Sequence, residues 1–506
     1  MPKYGYDRLT FLDNSFLLME GTNSPMHVAG TATYESGPLK KRDGGIDIDK
    51  IRDYVNARLH LIPRYRQRLT YIPIEGQPVW VDDDHFNIHY HVRHTALPKP
   101  GDERQLKRLA ARIMSQHLDR AKPLWEIWIV EGLENPEQFA MISKIHHCMV
   151  DGMSSVDLLN VLLKPEPSVH FEPAPRWIPR PTPSSWELAT DALLRYARLP
   201  VEIGRNLPAT IRDARDPRSD VRARLRAVRD MLSTGLAGPS GTPLNQRIGP
   251  HRRFDWLALS LDEVKAVKNR VGGTLNDVVL ATVAGAVRRF LQRRGVAVKG
   301  LDFRVMAPVS VRTEQEHGTL GNRVSGWMVP MPLAESDPLR RVDKIRETTA
   351  RLKESKQALG AEMLTQVGEW TPSTLLSLGA RMALRALPFN LVVTNVPGPQ
   401  VPLYLLGAKM LDNYGLVPLT DYLCLGVVLF SYAGKLCWGF TAEWDLLPDL
   451  HDFVADIEAS FRELRDIPER STLQSQPRRG QHAKSHNGAK PSVSKRPHIP
   501  PAGPPG

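Results

Sequence analysis

The chain has 506 residues, with 67 Lys plus Arg against 55 Asp plus Glu and a formal net charge of +12. At 42% hydrophobic residues it can bury a core of ordinary proportions, which excludes wholesale disorder; its length predicts about two to four domains. Three cysteines, Cys148, Cys424 and Cys437, exclude a disulfide scaffold. No apolar run reaches the roughly 20 residues of a bilayer span, which excludes a polytopic membrane protein.

The opening MPKYGYDRLTFLDNSFLLMEG lacks a basic segment followed by a long apolar run. A cytoplasmic location is therefore expected, free or on a membrane surface. Further along, VWVDDDHFNIHYHVRH, LWEIWIVEGL and QFAMISKIHH alternate or run apolar like strands, and SVDLLNVLL has helical spacing. Next comes KPEPSVHFEPAPRWIPRPTPSS, which is too rich in proline for a helix or an interior strand and reads as an extended linker. Ser185 is placed to cap a helix carrying Trp186, Leu188, Leu193 and Leu194. Residues 205–230 hold eight Arg and four Asp, the pattern of a basic, irregularly helical linker. In the second half, TLNDVVLATVAGAVRRFLQRR and LHDFVADIEASFRELRD read as helices, and Tyr422 to Ala433 as a buried strand. The end, rich in Pro, Ser and Gly, carries six Lys/Arg from Leu473 onward and no acid, as a solvated, disordered tail would. The resulting division is a lobe at 1–164, a linker at 165–250, a lobe at 251–470 and a tail at 471–506. The fold class expected is α/β (α+β), in two lobes.

The most informative residues are His146-His147-Cys148-Met149-Val150-Asp151-Gly152. They follow a strand-like run and precede a helix-like one that Ser154 and Asp157 can cap. Neighbouring strand residues face opposite sides, so one histidine faces a cleft and the other the core. Histidine suits general acid–base work near neutral pH. Asp151 can return beside the ring or hold the loop, and Gly152 permits a tight turn. Two adjacent His and one Asp are a poor metal set without a distant ligand, so no metal is expected. Nothing in the pattern marks Cys148 as an activated nucleophile. No GxSxG, P-loop or GxGxxG fingerprint occurs, which weakens hydrolase and nucleotide readings. Nucleic-acid binding would rest on charge alone and is not expected.

HHCMVDG resembles the HHxxxDG motif of the CoA-dependent acyltransferase superfamily, which includes chloramphenicol acetyltransferase and peptide-synthetase condensation domains. PMHVAG (25–30), PRYRQRL (63–69), LDRAKPLWEIWIVEGL (118–133), TLNDVVLATVAGAVRRFL (274–291), VMAPVSVR (305–312), GNRVSGWMVPMP (321–332) and TNVPGP (394–399) then resemble, in order, blocks of the bacterial wax ester synthase/diacylglycerol acyltransferase family. The resemblance implies two chloramphenicol-acetyltransferase-like lobes with mixed sheets meeting at a central tunnel, with acyl-CoA as co-substrate and no permanently bound cofactor. It implies that His147 is the base, with His146 in support. Asp151 becomes a structural residue, for which Arg312 is the candidate partner. Asn276 and Asp277 are either a helix cap or a pair beside the tunnel. Pro123, Leu124 and Trp125 are either a core strand entry or part of an acyl pocket. Asn395 to Pro399 form a rigid turn on a segment crossing between lobes, and His27 belongs to the core or the tunnel lining.

The implied partners are long-chain acyl-CoA, diacylglycerol or a fatty alcohol, and a membrane or lipid-inclusion surface met peripherally. Three alternatives stay open. One is transfer to a polyketide or sugar hydroxyl. Another is an H-x4-D acyltransferase with His146 as base, and the last is a lipid-binding protein without turnover.

Overall fold

The computed structural model describes residues 5–73, 75–149, 159, 161–195, 239–310, 324–354 and 387–467. Asp151, Gly152, Ser154, Asp157, Arg312, the Arg-rich stretch and the tail lie outside these residues. The first half runs through β1 (Tyr6–Arg8), α1 (Phe11–Met19), β2 (His27–Glu35), α2 (Ile48–Arg58), β3 (Gln67–Tyr71) and β4 (Pro78–Asp82). It continues with α3 (Ile88–His91), β5 (Val92–Ala96), α4 (Glu103–Ser115), β6 (Trp125–Glu131) and β7 (Gln138–His146). The expected strand VWVDDDHFNIHYHVRH is therefore two strands, β4 and β5, with a turn and the short α3 between them. Asn87 caps α3 by accepting from the His89 amide, and that local bond breaks the extended run.

The second half contains β8 (Arg252–Ser260), α5 (Leu261–Val271), α6 (Leu275–Arg293), β9 (Arg304–Ser310), β10 (Val324–Pro330) and α7 (Pro338–Glu354). It ends with β11 (Leu391–Pro397), β12 (Tyr404–Leu405), β13 (Ala408–Leu416), β14 (Leu425–Tyr432), β15 (Lys435–Glu443) and α8 (Leu450–Arg465). These strands build two six-stranded mixed sheets. One has the order β12-β13-β2-β7-β6-β5 and the other β10-β9-β11-β14-β15-β8; β1, β4 and β3 form a small third sheet. The expectation of mixed α/β lobes is met.

The sheets exchange chain. β11 lies in the second sheet, and Asn395-Val396-Pro397-Gly398-Pro399 ends it. The chain then crosses to add β12 and β13 to the first sheet, antiparallel to β2, and returns as β14. The stretch 251–470 is thus not a self-contained lobe, because its residues 404–416 pair with the first half. At this crossing a Cβ on Gly439 would lie 2.0 Å from the Gly415 carbonyl oxygen. Only glycine admits that approach of β15 to β13. A shared apolar cluster completes the seam, with Leu106, Ala110 and Ile113 of α4 against Phe254, Trp256, Tyr414 and Cys437.

α6 is apolar almost all round and is buried accordingly, from Val278 to Val287 and at Phe290 and Leu291. Its start is a capping box: the Thr274 hydroxyl accepts from the Asp277 amide, and Asp277 accepts from the Thr274 amide.

The proline-rich segment is extended, as its composition predicts, but it is strapped to the first half. Arg180 reaches Asp82 through main chain and side chain. The Arg66 guanidinium lies 5.0 Å from the Trp177 ring centroid, and Phe171 packs edge-on to Tyr54. The helix that follows, 185–195, is capped by Ser184 and not Ser185. The Ser184 hydroxyl accepts from the Glu187 amide, and the Glu187 carboxylate accepts from the Ser184 amide. Leu188 and Ala192 are buried, while Trp186, Leu193 and Leu194 face outward. No described helix is long and apolar enough to cross a membrane.

Candidate active site

β7 delivers the two histidines. His146 is its last residue, and His147 opens a 3-10 turn, His147–Met149. Their main chain is fixed from both sides: the His146 amide donates to the Leu124 carbonyl at 2.9 Å and the His147 amide to the Met26 carbonyl at 2.7 Å. As strand alternation requires, the rings part. His146 is fully buried and His147 is half-buried.

The His147 ring stacks face to face on Phe16 of α1, with centroids 3.7 Å apart and planes 17° apart. Among the described residues its Nδ1 is buried without a hydrogen-bond partner. Burial holds its pKa down to about 4, and the neighbouring His146 ring adds to the effect. His147 is therefore a neutral imidazole, able to accept a proton, through the physiological pH range. A cavity of about 560 Å³ opens beside the turn, lined by Thr10, Asp13, Tyr65, Trp80, Cys148 and Met149 among others. Cys148 is itself buried, and burial pushes its thiol well above the ordinary thiol range. It is a packing residue and not a thiolate.

His146 looks the other way, into a polar cluster centred on Glu20. Its Nδ1 accepts from the Cys148 amide at 3.1 Å, so the ring proton sits on Nε2, which faces Glu20 Oε1 at 3.5 Å. His27, paired with His146 across β2 and β7, places its Nε2 3.5 Å from the same oxygen. His117 Nδ1 approaches it at 3.3 Å, and Arg120 donates to Oε2 at 3.1 Å. Burial opposes ionisation of Glu20, but the facing His146 ring and the Arg120 guanidinium outweigh it and hold the carboxyl well below the usual range. His27 is driven the other way, well below the ordinary histidine range, chiefly by burial and then by the charge of Lys144.

The donor atoms of Glu20, His27 and His146 lie within 4.8 Å of one another, the one such group with metal-ligand reach among the described residues. A metal would need the Nε2 lone pair of His146. The Cys148 amide, by occupying Nδ1, puts the ring proton on that very atom. The cluster reads instead as a carboxylate–imidazole–guanidinium network.

The other expected residues sit at different distances from this centre. Leu124 and Trp125 are fully buried and Pro123 is buried. Trp125 donates through Nε1 to the Tyr65 carbonyl and stacks on His91. Leu124 touches the site through its carbonyl bond to His146, so the segment acts on the motif from the core. Asp277 caps α6 and accepts from the Thr349 hydroxyl of α7 at 2.8 Å. Its partners are thus structural, and among the described residues no hydrogen bond or ion pair joins Asn276 or Asp277 to the histidines. Asp151, Gly152 and Arg312 are outside the described residues. Sequence reasoning missed Phe16 and Glu20. A Phe and a Glu four residues apart at the end of an N-terminal helix were the available signal.

Two mixed sheets that exchange strands, with a double histidine at the end of a central strand, define a two-lobed acyltransferase of the HHxxxDG type. Residues 9–279 match the wax ester synthase/diacylglycerol acyltransferase catalytic domain, and residues 320–465 match the C-terminal domain of the same family. The chain belongs to the wax ester synthase/diacylglycerol acyltransferase family. A putative diacylglycerol O-acyltransferase of Mycobacterium tuberculosis is 33% identical over 485 residues, covering 92% of this chain and 93% of the relative. A second, probable diacylglycerol O-acyltransferase of that species is 31% identical over 92% of this chain and 97% of its own length. Among solved structures, the wax ester synthase/diacylglycerol acyltransferase of Marinobacter aquaeolei VT8 superposes with a TM-score of 0.64 at 26% identity. That match covers 90% of this chain and 98% of the other. A starter condensation domain of rhizomide synthetase shares the fold, with a TM-score of 0.55 at 13% identity over 91% and 94% of the two chains.

Proposed function

We propose that this chain transfers a long-chain acyl group from acyl-CoA to the hydroxyl of diacylglycerol, with long-chain alcohols as a second acceptor class and His147 as the general base. One observation carries the reading: a neutral, half-buried imidazole shares its turn with Cys148 and Met149, which line a cavity. The acceptor classes follow from the relatives, two named for diacylglycerol acylation and one for both reactions.

In the proposed reaction the imidazole takes the acceptor's hydroxyl proton as its oxygen attacks the thioester carbonyl. The tetrahedral intermediate collapses with loss of the CoA thiolate. The imidazolium returns its proton to that thiolate, giving ester and free CoA. No bond to the enzyme forms, consistent with a buried, protonated Cys148. A base held neutral is ready at pH 7, and positioned proton transfer of this kind contributes about 10²–10⁴-fold. Both acceptors partition into lipid, so we place the enzyme peripherally on the cytoplasmic face of a membrane or on lipid inclusions.

The test offers labelled palmitoyl-CoA with diacylglycerol and with hexadecanol in parallel. Labelled triacylglycerol is expected, and labelled wax ester in smaller or comparable amount. Folded enzyme that makes neither product would overturn the assignment.

A further inference from the structure

α1 touches both histidines of the motif. Phe16 lies flat on His147. Glu20, the C-cap of the same helix, faces Nε2 of His146. The two residues are joined directly, because the Glu20 amide donates to the Phe16 carbonyl at 3.1 Å and closes the last helical turn. Residues four apart on a helix lie on one face, about 5–6 Å apart, which matches the reach needed to meet two consecutive residues at a strand end. We propose that α1 is a clamp in which Phe16 and Glu20 act as positioning residues for the catalytic turn, the first through the plane of His147 and the second through the tautomer of His146.

The physical roles differ. A ring stacked at 3.7 Å restricts rotation of the imidazole and removes water from one face of it. The Glu20 carboxylate faces Nε2 of His146 at 3.5 Å, and its charge favours the ring proton on that nitrogen, which leaves Nδ1 free to accept from the Cys148 amide. That amide bond spans His147 and fixes the turn in which it stands. Neither side chain needs to reach the substrate. Both are held from elsewhere: Arg120 anchors Glu20, and the Thr10 hydroxyl caps α1 by accepting from the Asp13 amide. The ionisable groups on the described elements packed around the turn are Asp13 and Glu20 on α1, His27 on β2, Arg64 before β3, His117 and Arg120 after α4, and Lys144 and His146 on β7.

This inference rests on His147 as base, and a double-mutant cycle separates the two. Phe16→Ala, Phe16→Tyr, Glu20→Gln and His147→Ala are assayed alone, with Phe16→Ala/His147→Ala as the double variant. Phe16→Ala is expected to lower kcat about tenfold to a hundredfold with KM within about twofold, since misplacing a catalytic group by an ångström has that scale. It should also raise the acid limb of kcat/KM toward the ordinary histidine value of about 6.5, as water returns to the ring. Phe16→Tyr keeps the stacked ring and should restore both kcat and the limb. Glu20→Gln should lower kcat about tenfold while KM stays within about twofold.

In the His147→Ala background, Phe16→Ala should add nothing, because its target is gone. Phe16→Leu serves where the alanine variant does not fold. Wild-type kcat and an unmoved acid limb in Phe16→Ala or Phe16→Leu would overturn the clamp while His147→Ala keeps only its residual rate. An additive double variant would overturn it too. An active His147→Ala would instead overturn the base.

Discussion

β7 and β14 hold comparable central positions in the two sheets and carry different loads. β7 ends in His146, and buried around it are Glu20, His27 and Lys144, the last donating to the Ile113 carbonyl with burial pushing its pKa down to about 8. β14 runs Leu425, Gly426, Val427, Val428 and Leu429 without a charged side chain, against an α6 that is buried nearly throughout. Buried ionisable groups cost stability unless they are paired and hydrogen-bonded. Under the proposed function, the first sheet accepts that cost where proton transfer would need a desolvated imidazole. The second sheet carries its buried charges on β8 and β15 and not on β14: Arg252 donates to the Gly249 carbonyl, Asp255 meets Lys107 and His451, and Glu443 accepts from the Gly249 amide. Under the proposed function the chemistry falls to the first half and the frame to the second, with the β12–β13 crossing holding them together.

Breaking the frame should lower stability and spare the chemistry. The largest effect is expected for Gly439→Ala, because the new Cβ would meet the Gly415 carbonyl oxygen at 2.0 Å, and main chain on both sides must shift. Overpacking of this kind costs about 1–3 kcal/mol. A lowered denaturant midpoint, with turnover per folded molecule kept, is the expected result.

A smaller effect sharpens the reading of Asp277. Thr349→Val removes its hydrogen bond from α7 and should cost about 1 kcal/mol in chemical denaturation, with kcat and KM unchanged. Lost turnover at full stability would instead place Asn276 and Asp277 on the substrate path, as the family resemblance implies.

Much of the site was legible because it is local. HHCMVDG, its place after an apolar strand and the Thr274–Asp277 cap are patterns within a few residues of one another. What was hidden depends on distant pairing. Residues 404–416 alternate like any strand, and nothing local says that they join β2 and not the sheet next to them in sequence. Trp125 looks equally apolar lining a pocket or filling a core; its bond to the Tyr65 carbonyl and its stack on His91 settle it in the core. Phe16 and Glu20 stand about 130 residues before the histidines they touch, a separation that spacing cannot reveal. Ser184 displaced Ser185 as a cap because Glu187 stands three residues after it and completes a reciprocal box.

The most direct test of the account is the initial rate of triacylglycerol formation by His147→Ala beside wild type, with the thermal midpoint of each recorded. His147→Ala is expected to be slower by about 10²–10⁴-fold at an essentially unchanged midpoint, because the ring is half-buried and its loss leaves the sheet intact. A variant that folds and turns over at the wild-type rate would contradict it, and with it the assignment of the chemistry to the end of β7.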